Sequence, residues 1–107
     1  MDNAQNEKDV KALFIIVNAG FAEGVLDIAR QNGSRGATIM NARGEGFQHK
    51  SFLGITIDTE KELILSVNEV AVAEKVMAAI QEKAGVDTPA HAICFMMPIE
   101  TVSGIVL

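Results

Sequence analysis

The chain has 107 residues, a formal net charge of −5 and 49% hydrophobic residues, with five Phe but neither Trp nor Tyr. This length predicts one domain with an aliphatic core, and the acidic balance disfavours nucleic acid as a partner. No apolar run approaches the ~20 residues that span a bilayer, and the single cysteine, Cys94, cannot form an internal disulfide. We therefore expect a cytoplasmic protein that is not membrane-embedded, with a polar tail at residues 1–10 and a single domain at residues 11–107.

The first half of that domain predicts a strand, a helix and a second strand. ALFIIVN, residues 12–18, is β-branched and apolar on both faces, as in a buried strand. AEGVLDIARQNG, residues 22–33, places apolar side chains at helical spacing and ends in Asn-Gly, a helix stop. GATIMNA, residues 36–42, is the second predicted strand.

The second half of the domain predicts a third strand, a second helix and a fourth strand. KELILSVN, residues 61–68, is a strand, and VAVAEKVMAAIQEKAG, residues 70–85, is a helix that ends at Gly85. HAICFMMPI, residues 91–99, is the fourth strand. Between the second and third strands, FLGITID alternates as a strand does, so we expect residues 47–60 to form mostly an extended hairpin.

The order β-α-β-β-α-β is typical of the α+β, ferredoxin-like fold, a four-stranded antiparallel sheet with two helices on one face. The strand segments FIIV, LIL and ICFMM are nevertheless apolar on both sides. A monomer would expose the uncovered face as a large apolar patch, which soluble proteins rarely tolerate. We therefore predict an oligomer; the alternative is that the C-terminal segment folds over part of the sheet.

The segment GATIMNARGEGFQHKS, residues 36–51, contains more polar chemistry than a turn requires. Gly44 and Gly46 permit close backbone approach to a ligand, and free amides in such a loop can bind an anion. Gln48 offers a donor and an acceptor for a base edge or a phosphate. The same two glycines are also typical of a hairpin turn or a bulge, so both interpretations stay open.

Three segments together resemble PII-type (nitrogen regulatory PII-like) signalling proteins. The first is GATIMNARGEGFQ, with Thr, a basic residue, Gly-x-Gly and then Gln. The second is the preceding helix, AEGVLDIARQNG, at the matching distance. The third is the apolar last strand followed by Pro98 and Val102. The resemblance extends from about Leu13 to Gly104.

The resemblance implies a homotrimer of ferredoxin-like protomers that binds ATP or ADP between neighbouring subunits. It implies control of a protein target, a transporter or a metabolic enzyme, with no catalytic residues, no metal and no obligatory cofactor. Ile16 and Thr38 would line the adenine, Gly44 and Gly46 would approach the nucleotide, and Gln48 would begin the responsive loop. The nucleotide site implied in full is Ile16, Thr38, Gly44, Glu45, Gly46, Phe47, Gln48, Lys50 and His91. From the residues alone, Ile16 is also an ordinary core residue and Thr38 an ordinary strand residue.

The sequence departs from the PII pattern in four respects. The family's long T-loop between the second and third strands is much shortened, and without Tyr its tyrosine modification is impossible. The family's Gly-Lys after the second helix is replaced by AGVDTPAHAI, and its C-terminal basic pair by Gly104 and Val106. These losses remove cations that grip phosphate. The candidates to compensate are Arg43, His49, Lys50 and His91.

Two other functions stay open. One is a trimeric interaction module that has lost its ligand, as the missing cations suggest. The other is a small acylphosphatase-like enzyme, which shares this fold but needs an Arg in the loop after the first strand. That loop is Asn18-Ala19-Gly20-Phe21 here, without Arg. His49, His91 and Cys94 show no metal-ligand spacing, so we expect no metal site.

Overall fold

The computed structural model describes residues 9–44, 51–52, 55–56, 60–105 and 107, and for residues 51–52 and 55–56 it describes the backbone alone. Within them, the chain forms strands and helices in the order β1 (Val10–Asn18), α1 (Ala22–Gln31), β2 (Thr38–Arg43), β3 (Ser51–Phe52), β4 (Ile55–Thr56), β5 (Glu60–Glu69), α2 (Val70–Ala84) and β6 (Ile93–Pro98).

Four of the strands form one antiparallel sheet in the order β2-β5-β1-β6. With both helices packed on one face, this is the predicted ferredoxin-like βαββαβ fold, which the structure confirms. The strand β1 begins at Val10, whose side chain is buried.

The segment of the chain that connects β2 to β5 contains a separate, two-stranded ladder. It pairs β3 with β4 antiparallel, with Ser51 opposite Thr56 and Phe52 opposite Ile55. At these four residues the backbone agrees with the predicted extended hairpin. The remaining residues of that prediction, apart from Glu60 at the start of β5, lie outside the described residues.

The helices follow from apolar side chains at helical spacing. On α1 the buried residues are Ala22, Val25 and Ala29, and on α2 they are Ala73, Val76, Ile80 and Ala84. The first helix ends where Gly33 adopts a φ of +106°, a conformation that disfavours residues with a Cβ. The second ends at Gly85, where an added Cβ would lie only 2.5 Å from the carbonyl oxygen of Gln81.

Alternation along the central strands decides which side chains enter the core. Leu13, Ile15 and Val17 on β1 and Ile64 on β5 are fully buried against the helices. Their sequence neighbours point to the other side, because successive strand residues face opposite ways. The sheet therefore has one face covered by helices and one uncovered face, which we call the open face.

The open face is apolar and remains exposed within the described residues. On β6 the exposed fractions are 52% for Ile93, 42% for Phe95 and 48% for Met97. The ring of Phe95 stacks on that of Phe14 across the β1–β6 ladder, with centroids 5.1 Å apart and planes 9° from parallel. In the described part of the chain, the C-terminal segment does not cover these three β6 side chains.

A buried polar cluster ties β5 to the segment before β2. The hydroxyl of Ser66 donates to the carbonyl oxygen of Gly36 at 2.9 Å and accepts from the side-chain amide of Asn68 at 3.0 Å. Its oxygen also lies 2.9 Å from that of Ser34, which must be the donor because Ser66 has already given its single proton to Gly36. Ser66 is thus fully satisfied.

We expect Ser66→Ala to lower the free energy of unfolding by about 1–3 kcal/mol, because the buried side chains of Ser34 and Asn68 and the carbonyl group of Gly36 lose their shared partner. Urea denaturation at a fixed protein concentration measures this change. Ser103→Ala, at an exposed serine, is the matched control and should change stability by less than about 0.5 kcal/mol. Equal effects of the two substitutions would contradict a structural role for the cluster.

Candidate functional site

Several strand termini lie at the same end of the sheet. In the antiparallel register, Asn18 at the end of β1 and Ala42 near the end of β2 both lie opposite Lys61 at the start of β5. On the other side of β1, Ile16 lies opposite Ile93, the first residue of β6. We call this region the Lys61 end of the sheet.

The structure brings three of the predicted site residues to the Lys61 end. Ile16 is half-buried and lies on the open face between Leu63 and Ile93. Gly44 directly follows β2, and exposed His91 lies two residues before β6.

Other predicted site residues lie elsewhere or outside the described part. Thr38 is the first residue of β2 and lies opposite Leu65, in the middle of β5. It is therefore farther from the Lys61 end than Ile16, Gly44 and His91. The predicted residues outside the described ranges are Glu45, Gly46, Phe47, Gln48 and Lys50, together with the possible compensating residue His49.

His91 is held in an unusual backbone conformation. Its φ is +48°, a region that residues with a Cβ seldom adopt. Its ring Nδ1 lies 3.0 Å from the carbonyl oxygen of Val86, and its backbone N–H donates to Thr88. The imidazole is thus fixed to its own loop.

Lys61 is the residue that the sequence analysis missed. Its ammonium donates to the side-chain oxygen of Asn18 at 2.6 Å. The amide nitrogen of Asn18 in turn donates to the carbonyl oxygen of Pro89 at 2.9 Å. These two hydrogen bonds connect β5 through β1 to the loop that carries His91. The sequence itself shows only that Asn18 ends one apolar strand and that Lys61 lies near the start of another. This signal becomes informative once the strand register is known, because the register places the two residues opposite each other.

Gly44 lies against the side chain of Lys61. An added Cβ at position 44 would lie 3.2 Å from Cε and 3.4 Å from Cγ of Lys61, which is closer than ordinary van der Waals contact. Gly44 is not among the glycines with positive φ. The close contact at this position is therefore with the lysine stem, and Gly44 does not form a left-handed turn.

Glu62 lies on the helix-covered face of the sheet, opposite the open face. Its carboxylate accepts from the backbone N–H of Gly20 at 2.9 Å and lies 3.4 Å from that of Ala22, the first residue of α1. The N-cap residue of this helix, Phe21, supplies no side-chain bond, so Glu62 provides the negative charge that favours a helix N-terminus. Because neighbouring strand residues alternate, this carboxylate faces away from the ammonium of Lys61.

Cys94 and the metal-ligating side chains of the described residues show no arrangement typical of covalent or metal chemistry. Burial raises the pKa of the Cys94 thiol from 9.0 to about 11, so at neutral pH it is a protonated, weak nucleophile. Among the residues that the structure describes, no three His, Cys, Asp or Glu side chains form a group that could hold a metal ion. Nor does any described helix have the length and apolar character needed to span a membrane.

This chain is a ferredoxin-like domain with hydrogen-bonded polar side chains at one end of its sheet. The family described as nitrogen regulatory protein P-II matches residues 10–106, nearly the whole chain. The protein therefore belongs to the PII family, whose members are signalling regulators and not enzymes. This confirms the predicted family and sets aside the acylphosphatase-like alternative.

Similar solved structures share the fold of this chain. A PII-like signalling protein from Thermus thermophilus superposes with a TM-score of 0.67 at 17% identity, over 86% of this chain and 88% of that one. The GlnK–ATP complex of B. subtilis gives 0.67 at 17% identity, over 86% and 83%. CPII, a nitrogen regulatory PII-like protein from Thiomonas intermedia bound to ADP, AMP and bicarbonate, gives 0.65 at 19%, over 91% and 97%. No curated protein sequence matches this chain.

We expect Gly44→Ala to displace the Lys61 side chain from Asn18 while changing the free energy of unfolding by less than about 1 kcal/mol. The new methyl group crowds the flexible stem of Lys61, whereas loss of glycine entropy in the unfolded chain favours the folded state by about 0.4–1 kcal/mol. The measurement is the nuclear magnetic resonance shift of the Asn18 side-chain amide.

Gly36→Ala is the control, because a Cβ there would meet nothing within 4 Å. The Asn18 amide resonance should move in Gly44→Ala and stay in place in Gly36→Ala. An unmoved resonance in both variants would mean that Lys61 adapts without leaving Asn18.

Proposed function

We propose that this PII-family protein senses an adenine nucleotide, ATP or ADP, and controls a target transporter or metabolic enzyme by binding to it. The nucleotide site lies at the Lys61 end, in clefts between neighbouring subunits. The observation that carries the proposal is that Ile16, Gly44 and His91 lie at the same end of the sheet, beside an apolar open face. The ATP bound to GlnK and the ADP and AMP bound to CPII support this ligand class.

The described residues suggest how such a ligand is held. Ile16 supplies apolar surface suited to a base, with Leu63 and Ile93 on either side. The neighbouring strand ends supply polar groups suited to the ribose and phosphates. In this proposal Thr38, one strand further along, extends the apolar wall, while Glu45, Gly46, Phe47, Gln48 and Lys50 complete the site from the short loop.

The proposal includes assembly as a homotrimer. Phe95 and Met97 expose 42% and 48% of their surface on an open face that is apolar along its length. Burying this face against other subunits would remove apolar surface from water, which favours association. A cytoplasmic location is also part of the proposal and is supported by the single, unpaired Cys94.

A trimeric interaction module without a ligand is the second candidate. The loop between α2 and β6 contains no Lys or Arg, although the family's phosphate-gripping Lys occurs there. Gly104 likewise stands where the family has a basic residue. This candidate keeps the assembly and the target but removes the effector, and nucleotide titration separates it from the sensor.

We expect light scattering at micromolar concentration to give the mass of three chains. Phe95→Glu should dissociate the assembly, because it places a charge in the centre of the apolar interface. Val86→Glu is the matched control, since Val86 is 70% exposed on the loop after α2 and not on the open face. A monomeric wild type, or an assembly unchanged by Phe95→Glu, would contradict the proposed interface.

We expect calorimetric titration to detect ATP or ADP binding of modest, salt-sensitive affinity. Gln48→Ala should weaken it about threefold to tenfold, the value of one good hydrogen bond of roughly 0.5–1.5 kcal/mol. Gln81→Ala, an exposed position on α2, is the control and should bind as the wild type does. If the wild type binds no adenine nucleotide at millimolar concentration, the interaction module is the better description.

A further inference from the structure

We propose that a cleft on the helix side of the sheet is the surface through which this protein binds its target, and that it accepts an apolar side chain flanked by a carboxylate. This cleft, which we call the helix cleft, lies between the first turn of α1 and the end of α2 with the loop that follows. The lining residues that matter here are Phe21, Gly24, Ile28, Lys83, Thr88 and Pro89. The inference rests on the proposed function and deepens it, because it names the docking surface and the chemistry of the docked segment.

Gly24 is the first argument, because the fold does not require a glycine at this position. Gly24 lies within α1, where glycine is a poor helix former, and its φ is not positive. An added Cβ would meet nothing within 4 Å. A residue with a Cβ would therefore serve the helix better, whereas glycine keeps this wall of the helix cleft open for the close approach of a partner.

Phe21 is the second argument. It occupies the N-cap of α1, where Ser, Thr, Asp or Asn is preferred, and it makes no side-chain bond to the helix. It is 39% exposed, and Val86, on the loop that borders the helix cleft, is 70% exposed. Neither residue lies on the open face, so assembly through that face does not account for their exposure. Departures from local rules without a gain in stability are typical of functional sites.

The lining of the helix cleft indicates which segment it accepts. Apart from Lys83 and Thr88 its side chains are apolar, and the hydroxyl of Thr88 already donates to the carbonyl oxygen of Gly85 at 2.9 Å. Within the described residues Lys83 forms no ion pair, and its acidic neighbours Glu82 and Asp87 do not line the cleft. An apolar side chain next to a carboxylate complements both the apolar walls and the ammonium.

The size and charge of this region favour a protein segment over a metabolite or a membrane. The helix cleft has a volume of about 240 Å³, below the roughly 300–1,000 Å³ of pockets for small-molecule ligands, and it suits one anchoring side chain of a partner. Anionic bilayers attract helices rich in Lys and Arg. The one cation of α1, Arg30, forms an ion pair with Asp27 at 2.7 Å.

Hydrogen bonds hold the loop that forms the second wall of the helix cleft. The backbone N–H of Ala92 donates to the carbonyl oxygen of Ala84 at 2.8 Å. The carbonyl oxygen of Pro89 accepts from the side-chain amide of Asn18 at 2.9 Å. The cleft is therefore preformed, which lowers the cost of binding, and its loop wall is tied to the strand end beside which we place the nucleotide.

The test starts with selection from a random heptapeptide library displayed on phage, with the full-length protein as bait and Gly24→Leu for counter-selection. Gly24→Leu fills the helix cleft and should fold, because leucine is the better helix former and its Cβ meets no atom. We expect enriched peptides in which Leu, Ile, Phe or Met stands next to Asp or Glu.

Calorimetric titration with the most enriched peptide, made synthetically, then measures each contribution. Gly24→Leu should weaken binding by about tenfold or more, because the anchoring side chain loses its pocket. Lys83→Gln should weaken it by about twofold to fivefold, the range of a surface ion pair. Ala78→Leu and Lys75→Gln, at exposed positions of α2 outside the helix cleft, are the matched controls and should bind as the wild type does.

Thermal midpoints show whether each variant is folded, and Lys83→Gln keeps the test decisive if Gly24→Leu unfolds. Absence of enrichment, enrichment of basic instead of acidic residues, or unchanged affinity in both cleft variants overturns the inference. A smaller assembly in Gly24→Leu would make a second copy of the chain the occupant. Phosphatidylserine vesicles that bind the wild type but not Gly24→Leu would make the occupant a membrane, and either result overturns the inference.

Nucleotide titration separates this inference from the proposed function. Gly24→Leu should bind ATP and ADP as the wild type does, because Gly24 lies on the helix side and outside the proposed nucleotide site. A wild type that binds nucleotide but enriches no peptide overturns the docking cleft while the sensor function stands. A wild type that binds the selected peptide but no nucleotide supports the cleft and overturns the sensor.

Discussion

Apart from their ends, the central strand β1 is apolar on both faces and its neighbour β5 is apolar on the open face, and the rest of the molecule follows from that constraint. One set of alternating side chains, including Leu13, Ile15 and Ile64, is sealed completely by the two helices. A sheet of four strands with two helices has nothing left in the described residues to cover its other face. The stacked pair of Phe14 and Phe95 lies on that other face. Exposed apolar area of this kind is costly in water, which supports the proposed assembly of several subunits.

Polar groups occur where the same strands end. Along β1 the open-face positions are apolar until Asn18, and along β5 they begin with Lys61. The antiparallel register brings these two ends together, so the apolar face has a polar border at the Lys61 end. This border forms because the polar ends of strands distant in sequence are aligned by the register. It joins apolar surface to hydrogen-bonding groups, as small-molecule sites do.

Local patterns were sufficient to predict the elements but not the contacts between them. The helix ending at Gly33 and the four sheet strands were predicted because apolar spacing and glycine stops act within a few residues. Lys61 was missed because its partner, Asn18, is 43 residues away and pairs with it only through the sheet. Gly44 was predicted as a site of close backbone approach. The structure adds that the stem of Lys61 is its near neighbour. The roles assigned to the short loop stay predictions, since residues 45–50 lie outside the described part of the chain.

In the proposed function, the nucleotide site and the subunit interface share the open face. Ile16 and Lys61 belong to that face, so packing of a second subunit on it would alter the surroundings of both side chains. A neighbouring apolar surface would exclude water from the polar border and strengthen the hydrogen bonds there, including the one between Lys61 and Asn18. A ligand bound at this border and a subunit packed beside it would then each favour the other, which would link ligand binding to assembly.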